Sequence, residues 1–173
     1  MRNSGLAESG VRAGAGSDRR IEEVAGRLRE ELEGLAHELT VHIPGKLGLQ
    51  QSQREYHAVV ERQQTVRRRI RLVGRLLAGL PLVDAGTLRC DRVGYGSIVF
   101  LQDLDTGHEA TFMLMARSAD PPPPGEGPID SPLGNALLGC RAGSEVVLMG
   151  SDRDVRFRLL ALYTLPYCLG LGG

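Results

Sequence analysis

What this 173-residue sequence lacks narrows its reading before any pattern is sought. It has no tryptophan, three phenylalanines and four tyrosines, too few rings to line an aromatic ligand pocket. Its three cysteines, Cys90, Cys140 and Cys168, are odd in number and far apart, without a Cys-x-x-Cys pair or a histidine at ligand spacing. That pattern argues against a metal site and against a disulfide framework. The first twenty residues hold no apolar run long enough for a signal peptide, and no stretch approaches the roughly 20 apolar residues of a membrane span. The expectation is a protein of the reduced cytoplasm with no membrane partner and no cofactor. Twenty-one basic residues offset twenty-one acidic ones, so net charge predicts no polyanionic partner either. Charge is unevenly spread, however: no Asp or Glu lies between Glu38 and Glu55, and none between Arg62 and Arg75.

What is present is dominated by two apolar ladders. Ile21, Ala25, Leu28, Leu32, Leu35 and Leu39 alternate steps of four and three, the seam spacing of a coiled coil. Tyr56, Val59, Gln63, Val66, Ile70, Val73, Leu77 and Leu80 repeat it, with Gln63 the one polar member. Each arm is short and must bury its stripe, and the nearest partner is the other arm. Flanking charges select an antiparallel register in which Glu38 meets Arg62, Glu31 meets Arg69 and Val24 meets Leu76. Exposed ion pairs contribute about 0.2 to 1 kcal/mol each, so they choose the register while the seam holds it. The spacing therefore predicts a helical finger over 20–80 that turns near Gly48–Gln51, its tip formed by Gly48, Leu49, Gln50, Gln51 and Ser52. Arg62, Arg67, Arg68, Arg69, Arg71 and Arg75 make its second arm basic. Of these, Arg68, Arg71 and Arg75 fall outside the seam and are expected to be free for an acidic or polyanionic contact.

Residues 1–19 are aperiodic and rich in Gly, Ser, Ala and Arg, which predicts a disordered tail. Pro44 is expected to stop the first helix near Ile43, and Pro81–Gly86 reads as a linker. Beyond it the period changes. Ser97–Leu104 and Glu109–Met115 read as strands joined by the turn Asp105-Thr106-Gly107, with Phe112 and Leu114 facing inward. Pro121–Pro124 belongs to a long extended loop. Ser131 suits a helix cap, Pro132 a first turn and Gly139 a stop. Val146–Met149 and Val155–Tyr163 are further strands, and 166–173 reads as a loose tail. The fold class is α+β: an antiparallel helical hairpin followed by a small β-rich domain, 87–165, with one short helix.

Glu55-Tyr56-His57-Ala58, Leu104-Asp105-Thr106-Gly107, Asp130-Ser131-Pro132-Leu133-Gly134 and Ala136-Leu137-Leu138-Gly139 occur in order at compatible spacing. Together they resemble the Gre family of bacterial transcription elongation factors, from about Ile21 to Tyr163. The resemblance implies an FKBP-like second domain that docks on RNA polymerase at the rim of its secondary channel. It assigns that docking to Asp130, Ser131 and Pro132, and it sends the hairpin down the channel toward the active site and the nascent RNA. A free protein is expected to be monomeric.

Members that stimulate transcript cleavage carry Gly-Asp-Leu-Ser-Glu-Asn-Ala before Glu-Tyr-His, where this chain has Gly48-Leu49-Gln50-Gln51-Ser52-Gln53-Arg54. Leu49 and Ser52 replace the two acids. Neither supplies the anionic oxygen that a magnesium ion needs, so the expectation is a polymerase-binding regulator that is not an enzyme. Two alternatives stand beside it. One is a weak cleavage factor that uses Glu55, and the other is a Gre-like adaptor of a different partner such as nucleoside diphosphate kinase.

Other motifs carry less. Asp105-Thr106-Gly107 matches the aspartic protease triplet, but that chemistry needs two such carboxylates and this chain has one. His37 and His42 do not share a helix face, and His57 reads as a surface histidine. Gly94-Tyr95-Gly96-Ser97 lacks the third glycine of a dinucleotide loop and reads as a turn entering a strand. Cys140 reads as a small, half-buried residue, and the scarcity of aromatics argues against prolyl isomerase activity.

Overall fold

In the computed structural model, residues 12–41, 53–116, 123–150 and 153–171 are described. Helix α1 (Arg12–Val41) and helix α2 (Gln53–Gly79) run antiparallel. Two single 3-10 turns, Leu80–Leu82 and Ala85–Thr87, then lead into the β-rich domain. The expected tip, Gly48–Ser52, lies outside the described residues, as does the expected helix stop near Ile43.

The predicted register is present. Arg62 Nε lies 2.6 Å from Glu38 Oε1, and Arg69 Nε lies 2.6 Å from Glu31 Oε1. Val24 and Leu76 are buried in one cluster. α1 begins at Arg12, inside the stretch 1–19 read as a disordered tail. Once packing from Ile21 onward has nucleated the helix, each further residue adds a hydrogen bond at little cost, which composition alone does not reveal.

The domain holds strands β1 (Ile98–Asp103), β2 (Glu109–Met115) and β3 (Glu126–Pro128), helix α3 (Pro132–Leu137), strands β4 (Glu145–Leu148) and β5 (Val155–Tyr163), and helix α4 (Leu165–Cys168). They form one mixed five-stranded sheet in the order β3-β2-β1-β5-β4. Only the β2–β3 pair is parallel, and a register shift between Phe100 and Leu101 interrupts the β1–β5 pairing. Val155, Phe157 and Leu159 alternate against the exposed Arg156 and Arg158, as the period of two requires.

Two elements correct the expectation of a single short helix between four strands. β3 is three residues of Glu-Gly-Pro, types poorly suited to strands, and it is held by its register with Met113–Met115. α4 lies in the stretch read as a tail, where Leu165 and Pro166 are buried and Thr164 caps the turn by accepting from Tyr167 N at 3.4 Å.

Two cores result. Val99, Leu101, Leu114, Leu137, Val146 and Leu159 fill the space between the sheet and α3. The other core joins the halves: Val24, Ala25, Leu28, Val73, Leu76 and Leu80 of the hairpin base pack with Leu88, Tyr95, Met115 and Leu165 of the domain. Burying a leucine contributes about 1.5–3 kcal/mol, so this shared core is what attaches the hairpin to the domain.

Candidate functional site

The stretch Asp130-Ser131-Pro132 is built on a rigid base. Ile129 N donates to Met115 O at 2.7 Å and Ser131 N to Pro128 O at 3.0 Å, which anchors the turn to the end of β3. Ser131 is the N-cap of α3, its hydroxyl accepting from Gly134 N at 3.0 Å, and Pro132 occupies the first turn. The carbonyl of Asp130 accepts from Asn135 Nδ2 at 3.0 Å. A side chain at 134 has no room, since a Cβ there would sit 2.5 Å from Ile129 O. The turn thereby presents the exposed Asp130 and Pro132 while the Ser131 hydroxyl is committed to the cap. α3 ends where Gly139, at φ +80, takes the left-handed conformation expected of a helix stop.

The basic face is only partly as expected. Arg68 and Arg71 are exposed, and Arg68 Nη2 approaches Thr65 Oγ1 at 3.4 Å. Arg75 departs from the expectation of a free cation. Its Nη1 and Nη2 donate to Glu126 Oε2 and Oε1 at 2.5 and 2.8 Å, a two-pronged pair whose hydrogen bonding raises the guanidinium pKa. With Leu72, Gly74, Ala78 and Pro123, these residues line a cleft of about 740 Å³ between α2 and the start of β3.

At the far end of α2, Glu55 is the acid of the first turn and is exposed, as are Tyr56 and His57. Tyr56 and His57 stack edge to face, with ring centroids 6.1 Å apart. The donors at the two family acid positions, Leu49 and Ser52, do not fit a magnesium ion, since alkyl and hydroxyl groups offer no anionic oxygen. Among the described residues, no group of three or more His, Cys, Asp or Glu could hold a metal, and no helix is long and apolar enough to cross a membrane.

The remaining motifs fall into structural roles. Asp105 sits in the β1–β2 turn and pairs with Arg156 Nη2 at 2.7 Å. His37 is exposed on α1, and His42 lies outside the described residues. Gly94–Ser97 is the turn into β1, with Gly94 N donating to Ser97 Oγ at 2.9 Å. Its tyrosine does more than sequence reasoning assigned. Tyr95 is fully buried and its hydroxyl donates to Leu76 O at 2.7 Å, tying the domain to α2. Arg20 was also missed. It reaches from α1 to Leu171 O at 3.2 Å, Leu88 O at 3.4 Å and Cys90 Sγ at 3.0 Å. The only local signal for Tyr95 was an aromatic ring set between two glycines.

Comparison with known proteins gives consistent matches. The family described as "Transcription elongation factor, GreA/GreB, C-term" matches residues 88–164. Transcription elongation factor GreA of Sulfurovum sp. is 31% identical over 134 residues, covering 74% of this chain and 83% of that protein. GreA of Helicobacter hepaticus is 31% identical over 109 residues, covering 63% and 67%. Among solved structures, "Crystal structure of Thermus aquaticus Gfh1" aligns at 22% identity and a TM-score of 0.38, covering 85% of this chain and 94% of that one. These matches correct one expectation, that the chain is not an enzyme. The relatives carry the GreA name, and the resemblance ties stimulated transcript cleavage to members of that family, so the expectation of a chain without an enzyme-like role does not stand.

Proposed function

This chain belongs to the GreA/GreB family of transcription elongation factors, and from that premise we propose that it binds RNA polymerase through two separate parts. The turn Asp130–Pro132 docks on the rim of the secondary channel, and the hairpin enters the channel with Gly48–Ser52 leading. The observation that carries this reading is the hairpin's register. Ion pairs at Glu31–Arg69 and Glu38–Arg62 mark an antiparallel register that continues well beyond the shared core, as a part that must reach into a narrow passage requires. At about 1.5 Å per residue, the 30 residues of α1 extend about 45 Å.

Inside the channel the finger acts in two ways. Leu49, Gln50 and Gln51 obstruct substrate entry by volume, which alters pausing. Membership of a family that includes cleavage-stimulating factors favours a share in transcript cleavage as well, and Glu55 supplies the carboxylate for it in place of the family's tip acids. A single acid set back from the tip predicts weaker stimulation than a member with both tip acids delivers. On this reading the protein works in the cytoplasm and is a monomer when free.

The test uses the full chain with core polymerase and stalled elongation complexes. Wild-type protein is expected to bind and to stimulate cleavage weakly, Glu55→Ala to bind equally and lose the stimulation, and Asp130→Lys to lose binding. A wild-type chain that does not bind core polymerase contradicts the reading, and pull-down of a different partner then supports the adaptor alternative.

A further inference from the structure

The hydrophobic effect that closes the shared core is non-directional, so the polar contacts around that core add directional constraints on the angle at which the hairpin leaves the domain. The Tyr95 hydroxyl meets Leu76 O from the turn before β1, at a point where α2 comes so close that a Cβ on Gly79 would lie 2.2 Å from that hydroxyl. One position back, Arg75 forks onto Glu126. The Tyr95 hydroxyl also approaches Arg75 O at 3.5 Å, so the buried hydrogen bond and the fork act on one turn of α2, the first through its backbone and the second through a side chain. An Arg–carboxylate fork is planar and fixes orientation as well as distance, and here the carboxylate is largely shielded.

Glu126 also has a telling position in the chain. It opens β3, pairs in register with Met113, and is followed within the same strand by Pro128, whose carbonyl accepts from Ser131 N. One three-residue strand thus holds the acid that grips the hairpin and anchors the turn that carries Asp130 and Pro132.

We propose that Arg75 and Glu126 are positioning residues that set the direction of the hairpin relative to the Asp130–Pro132 turn. Their fork is the link through which the two parts keep a fixed mutual geometry, so that one polymerase accepts both at once. This last consequence rests on the docking reading given above, whereas the geometric claim does not.

The experiment measures the angle directly. Spin labels are placed at the exposed positions Gln64 on α2 and Val147 on β4, in the full chain with its three cysteines replaced by serine, and the distance distribution is read by pulsed electron resonance. The wild-type pair is expected to give a single narrow distribution. Arg75→Gln and Glu126→Gln each shift or broaden it, Arg75→Lys restores it only in part, and the reversed pair Arg75→Glu with Glu126→Arg recovers it. Thermal unfolding of each variant confirms that the fold is retained. Distributions identical to wild type in both single variants overturn the proposal, whatever polymerase does. If the distributions respond as stated and the wild-type chain nevertheless fails to bind core polymerase, the positioning role stands and the docking reading falls.

Discussion

Glu31 and Arg69 face each other across the hairpin with Oε1 and Nε 2.6 Å apart, and Glu38 and Arg62 repeat that contact at the same distance one heptad farther from the domain. Both arginines are more than half exposed, so each pair contributes little energy. The seam beneath them carries the stability. Leu28→Ala, at a site 1% exposed, is expected to cost about 2–5 kcal/mol in denaturant unfolding, whereas Arg69→Ala costs at most about 1 kcal/mol. The reverse order would contradict the division of roles between seam and charge.

Gly79 stands at the end of α2 against the Tyr95 ring. Alanine has the better helix propensity by about 1 kcal/mol, so in an open site Gly79→Ala stabilises. Here it is expected to destabilise, because the added Cβ meets Tyr95 Oη at 2.2 Å. Tyr95→Phe is expected to cost about 0.5–1.5 kcal/mol for the lost hydrogen bond to Leu76 O. The double variant should be less destabilised than the sum, since removing the hydroxyl relieves the worst contact. Additive effects in thermal unfolding would show that the two groups do not meet.

Ser131 and Asp130 separate folding from docking. Ser131→Ala removes the cap of α3 and is expected to lower stability by about 0.5–2 kcal/mol. Asp130→Ala removes only an exposed carboxylate, because Asn135 is held by the Asp130 backbone carbonyl, and should leave the unfolding midpoint unchanged while weakening polymerase binding. Equal binding by Asp130→Ala and wild type would remove the turn from the interface.

The β1–β2 turn carries a pH signature. Backbone N–H groups of Thr106 and Asp105 donate to the Asp103 carboxylate at 2.9 and 2.8 Å, and they hold it below its ordinary value of 3.8. A carboxylate whose folded-state pKa is depressed contributes stability above its unfolded value and loses it as pH falls through the folded value. The turn is therefore expected to loosen only below about pH 4. An NMR titration of the Asp103 carboxyl carbon and the Thr106 amide should share one midpoint under 3.8, and a midpoint above that value would show the amides are not bonded to the carboxylate.

Much of this molecule can be read locally. The heptad ladders predict the hairpin, and the charges beside them predict Glu31–Arg69 and Glu38–Arg62, because partners on a helix pair follow from periodicity. Asp105-Thr106-Gly107 and Ser131-Pro132 announce a hairpin turn and a helix start through their own backbone preferences. What stays hidden depends on distant partners. Glu126 meets Arg75 across 51 residues, and no local pattern marks either as a partner of the other. β3 and α4 are too short for a period to emerge and exist because neighbouring elements hold them. Of the candidate site, Asp130–Pro132 was legible only through family resemblance, while Tyr95 was read as a turn residue and proves to be a buried link between the halves.

The most direct measurement places a photo-crosslinking amino acid at Leu49 in the full chain bound to core polymerase and maps the attachment point. Crosslinks to residues lining the interior of the secondary channel, competed away by a cleavage-stimulating member of the family, are the predicted result. Attachment confined to the outer surface of polymerase, or none at all, would contradict an inserted hairpin.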